Sequence, residues 1–97
     1  MPHAKLPAVV DHVKGAKEAA IARLCGFLKI PAISCDPEHF KDVRQLAEHV
    51  RADLQQAGFD NCRVLDVDSG KKDEPALPCV SAEWMKAGTD KPTVLVY

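Results

Sequence analysis

The residue types that do chemistry are present in this chain, but not in the spacings that chemistry needs. Four histidines stand at His3, His12, His39 and His49. A helical metal pair would need two of them on one face. His39 and His49 are ten apart on one expected helix, about a quarter turn out of alignment. There is no H-E-x-x-H, so these histidines are expected to face solvent. Paired carboxylates for general acid/base work would come from Glu38 with Asp42, or Glu48 with Asp53. Each pair lies on an expected helix beside Lys41, Arg44 and Arg51, as on a solvated surface. Cys25, Cys35, Cys62 and Cys79 are widely separated, with no C-x-x-C pair. That spacing argues against a structural zinc site, and nothing suggests an oxidising compartment that would favour disulfides. The cysteines are expected as small buried apolar side chains. Trp84, the one tryptophan, is expected to pack at a sheet margin.

The bulk properties narrow the class. A chain of 97 residues is one small domain in size. Hydrophobic residues at 46% and charged residues at 28% exclude intrinsic disorder. A net charge of -1 gives no long-range attraction to nucleic acid or to anionic lipid. No stretch approaches the roughly 18 apolar residues of a membrane span. Met1 to Pro7 lacks the apolar core of a signal peptide. The cytoplasm is the expected compartment.

The elements follow from periodicity. Val9, Val13, Ala16, Ala20, Ile21, Leu24, Phe27 and Leu28 recur at three- and four-residue steps, which predicts a helix over about 7–28. Pro7 suits its first turn, and Gly15 weakens its middle by roughly 1 kcal/mol relative to Ala. Pro31 then forces an extended connector. Asp36 is a suitable N-cap with Pro37 at the first helical position. The stripe Phe40, Val43, Leu46, Ala47, Val50, Leu54 and Ala57 predicts a helix over about 37–57, stopped by Gly58. Strands are expected over about 62–67, 79–84 and 93–97, separated by a polar loop after Asp68 and a turn around Gly88 to Pro92.

The final run, Thr93-Val94-Leu95-Val96-Tyr97, is continuously apolar and β-branched. Such a run belongs in a strand buried on both faces of a sheet. Two upstream helices could cover one face, with nothing downstream for the other. The expectation is the first part of a larger α/β domain whose sheet is incomplete within residues 1–97.

The order of these pieces resembles the N-terminal part of the di-zinc metallopeptidases, the aminoacylase, carnosinase and related dipeptidase/carboxypeptidase family. Leu28-Lys29-Ile30-Pro31-Ala32-Ile33-Ser34 is similar to the family's L-x-I-P-S-V-S segment. Leu54-Gln55-Gln56-Ala57-Gly58-Phe59 is similar to its L-x-x-x-G-F/A helix end. Pro78 to Trp84 is similar to its second strand. Asp90-Lys91-Pro92-Thr93-Val94-Leu95-Val96-Tyr97 is similar to the strand that runs into G-H-x-D, often G-H-x-D-V-Q-P in the dipeptidase branch. The likeness covers nearly the whole chain from Pro7, and its specificity lies in the order of the pieces.

The resemblance implies a three-layer α/β/α catalytic domain with two zinc ions, and a smaller lid domain that often mediates homodimerisation. The implied activity is hydrolysis of amide bonds in dipeptides or small peptides by a metal-activated water, with a carboxylate as general base. The His of G-H-x-D is the family's first metal ligand. Tyr97 is the last residue here, so no family catalytic or metal residue falls on any position of this sequence. Nor is any residue assigned to substrate binding. Residues 1–97 alone are expected to be inactive and to bind no zinc, with the remainder of the catalytic domain as their partner. The alternative expectation is a small free-standing α+β module that binds a protein partner without catalysis. The resemblance predicts a reading frame that continues as G-H-x-D directly after Tyr97, which nucleotide sequencing checks. A continuation without that His would contradict it.

Overall fold

The computed structural model describes residues 3–97. The chain is a mixed α/β assembly of three α-helices and a two-stranded antiparallel sheet. Helices α1 (Leu6–Gly15) and α2 (Lys17–Leu28) come first. A short 3-10 turn (Pro37–His39) leads into α3 (Phe40–Gln56), followed by β1 (Asp60–Asp66) and β2 (Pro78–Glu83).

The helix expected over 7–28 is broken in two. Ala16 leaves helical angles at φ -95°, ψ 8°, directly after Gly15. Its N–H is shared between the carbonyls of His12 (3.0 Å) and Val13 (3.2 Å). The Ala16 carbonyl then accepts from Ala20 N–H at 2.9 Å, so the helix restarts at once. Glycine is the weakest point of an otherwise good helical sequence, and the break falls beside it.

The helix expected over 37–57 forms with its predicted punctuation. Asp36 is extended, and its Oδ1 accepts from Glu38 N–H at 3.0 Å. The first turn, held by Pro37, is 3-10 rather than α. At the other end Gly58 takes φ +99°. Phe59 N–H donates to Leu54 C=O at 3.1 Å, and Gly58 N–H donates to Gln55 C=O at 3.1 Å. These two bonds are the Schellman stop, which glycine favours because a Cβ is strained at that backbone angle.

β1 and β2 pair with Val64 opposite Val80 and Leu65 opposite Cys79. The register slips between Asp60 and Arg63, where β1 carries one extra residue. Asn61 sits in this bulge at φ +49°, a conformation asparagine tolerates better than most residues. Its side-chain amide donates to the Glu83 carboxylate.

The core lies between α3 and the hairpin. Ala47 of α3 is its one buried hydrophobic residue among those described, at 7% exposure. Phe40, Val43, Leu46, Val50 and Leu54 of α3 are half-buried around it, with Cys62, Val64, Val80 and Ala82 of the strands. α2 reaches α3 through an edge-on contact between the Phe27 and His49 rings, 4.9 Å between centroids.

Three expectations are corrected. The stripe of α1 and α2 was expected in the core, yet Val9, Val13, Ile21, Leu24 and Leu28 are exposed. No layer of the described structure lies over them. The cysteines were expected buried, yet Cys25, Cys35 and Cys79 are exposed and Cys62 is intermediate. The third strand, expected over 93–97, is not formed: no residue there belongs to a ladder. A strand is stabilised by a neighbour on its edge, and this segment has none.

Two consequences are measurable. Gly58→Ala should cost about 1–2 kcal/mol, the strain of a left-handed residue with a Cβ, read as a lowered urea midpoint. Ala47→Leu should cost about 1–3 kcal/mol by overpacking the one tight point of the core. An unchanged midpoint for Ala47→Leu would show that α3 does not seat on the hairpin.

Candidate functional site

Among the described residues, an apolar cleft of about 810 Å³ lies beside β2. Leu54 and Phe59, the two residues joined by the helix stop, form one wall. Val80 and Ala82 of β2 form its floor, and Trp84 and Met85 its end. Val94, Leu95 and Val96 also line it. Each part has a local cause. Alternation along β2 puts Val80 and Ala82 on one face. The Schellman stop turns Phe59 back over Leu54. A turn at Gly88 then returns the chain: Gly88 has φ +112°, and Lys91 N–H reaches its carbonyl at 3.3 Å. That φ strains any residue with a Cβ and so favours glycine, whereas the Asp90 Oδ1 that such a Cβ would meet at 2.9 Å is a side-chain end able to turn away.

The cleft is lined by hydrocarbon with few polar groups. Glu83 and Lys91 are the charged residues among its lining. Nearby, Lys86 pairs with Asp60 at 3.5 Å across the hairpin. The surface carries the Glu83 carboxylate, which accepts from the Asn61 side-chain amide, and the Thr93 hydroxyl. What it offers is area for another apolar segment. Trp84 stands at the sheet margin, as expected, but is 51% exposed. Residues 94–97 are more exposed still, with Val96 at 87%.

The candidate chemical residues do not converge there. His39 lies at the start of α3, where its Nδ1 is 2.9 Å from Asp42 Oδ2. Its Nε2 stands 4.0 Å from Asp36 Oδ2, beyond a hydrogen bond. The surface pairing expected for the acidic residues is met at Glu48 with Arg51, while Asp42 and Asp53 take other partners. Asp42 partners His39, Glu48 bonds Arg51 at 2.9 Å, and Asp53 lies 3.8 Å from Arg23 of α2. The spacing D-x-x-H-x-x-D over 36–42 was the missed signal, since residues three apart on a helix are neighbours. His49 is exposed as expected, with its ring against Phe27. Among the described residues, no three His, Cys, Asp or Glu side chains group as metal ligands.

One ion pair joins distant elements at this end of the fold. Arg44 of α3 donates to Asp66 at the end of β1. The hydrogen bond that Arg44 donates to Asp66, and then the Asp66 charge, raise the Arg44 pKa above the ordinary guanidinium value. A raised folded-state pKa stabilises below the unfolded value and is lost only as pH rises through the folded one. Both lie far above working pH, so this pair gives no pH dependence there.

No protein-family model, curated protein or solved structure matches the chain. No helix among the described residues is long and apolar enough to cross a membrane.

The sole tryptophan makes the cleft easy to follow. Trp84 in the 97-residue chain should emit at the long wavelength of a hydrated indole and be readily quenched by acrylamide. Phe59→Ser, which removes one wall, should leave that emission nearly unchanged. Short-wavelength, unquenched emission would contradict an open cleft.

Proposed function

We propose that this chain is the N-terminal segment of the catalytic domain of a di-zinc metallopeptidase that hydrolyses dipeptides or small peptides in the cytoplasm. In this reading the segment builds scaffold, and residues 93–97 become a strand in the complete domain, with the first metal ligand beyond its far end. The observation that carries the proposal is the open apolar cleft faced by an unpaired, β-branched run. Val94, Leu95 and Val96 are 80%, 84% and 87% exposed. Burying three such side chains would gain roughly 1.5–3 kcal/mol each. They gain most from a sheet that continues past β2, with cover on both faces.

The surface area supports the same reading. The chain exposes 8389 Å². A compact protein of its mass would expose about 5,500 Å². The Cα radius of gyration is 17.0 Å, against about 12–13 Å for a compact chain of this length. Both departures leave apolar surface that a further body of protein would cover, and in this reading that body is the remainder of a catalytic domain.

Zinc, when bound in such an enzyme, would supply an activated water as the nucleophile. Residues 3–97 hold no cluster of ligands for it, so the ligands and the general base belong to other sequence in this reading. The part left to this chain is mechanical. Placing a ligand at the end of a buried strand fixes its position, because that strand is rigid and its exit opens on a crevice.

Two experiments test the proposal. The longer chain, purified with its own downstream sequence, should contain two zinc ions and cleave dipeptides, and chelation should abolish cleavage. Val96→Asp in that protein should lower both zinc content and activity at least tenfold, since a charge in a buried strand displaces it. A variant with full zinc content and full activity would contradict the role given to this strand. For the 97-residue chain alone, size-exclusion chromatography with thermal melting separates the proposal from a free-standing module. Association and a broad melt are expected. A sharply melting monomer would contradict it.

A further inference from the structure

We draw no further inference here: the strongest candidate, the exposed apolar stripe of Leu6, Val10, Val13, Leu24 and Leu28 along α1 and α2, is interrupted by Lys17, and nothing in the structure shows what covers it.

Discussion

A β-hairpin packed on one helix has little interior to share, and that constraint governs everything else in this molecule. β1 and β2 present one apolar face to α3, and the contact closes around Ala47 alone. An isolated hairpin is marginal in water without a third strand or further packing. The local devices here are nonetheless complete. α3 has its Asp36 cap and its Gly58 stop, the bulge at Asn61 is tied to Glu83, and Arg44 reaches Asp66. Each specifies geometry, and none supplies burial. The result is a well-defined frame with much apolar surface still in water.

The same constraint explains the position of the cleft. Burial would be gained fastest where Val80, Ala82, Leu54 and Phe59 already form a shared apolar floor and wall. After the turn at Gly88, Val94 to Val96 line the same space. The segment has the composition of a core strand and the environment of a surface loop. In the proposed reading, further strands and helices of the catalytic domain resolve that conflict. The rigid position so created is what a metal ligand at the strand's end requires.

The legible part of the fold is the part specified locally. Asp36-Pro37 and Gly58 marked the limits of the second helix, because caps act through the backbone of their own few residues. The alternation of Cys79 to Glu83 marked β2 for the same reason. The break at Ala16 was half legible, since Gly15 showed the weak point but not that the chain would yield there. The exposure of the α1–α2 stripe, of Cys25 and of Cys79 was not legible. Periodicity identifies an apolar face without identifying its cover. The strand over 93–97 was read correctly as apolar, but strand formation depends on a partner edge, which lies outside local sequence. At the candidate site, Leu54 and Phe59 were visible as a helix end. Their role as a cleft wall needed the fold.

The central claim is that residues 93–97 become a buried strand once the rest of a catalytic domain surrounds them. Amide hydrogen exchange at Val94 to Tyr97 tests it most directly, compared between the 97-residue chain and the longer chain carrying its downstream sequence. Near-random-coil exchange is expected in the former, and slowing on the order of a thousandfold or more in the latter, as for core strands. Exchange that stays fast in both proteins would contradict it.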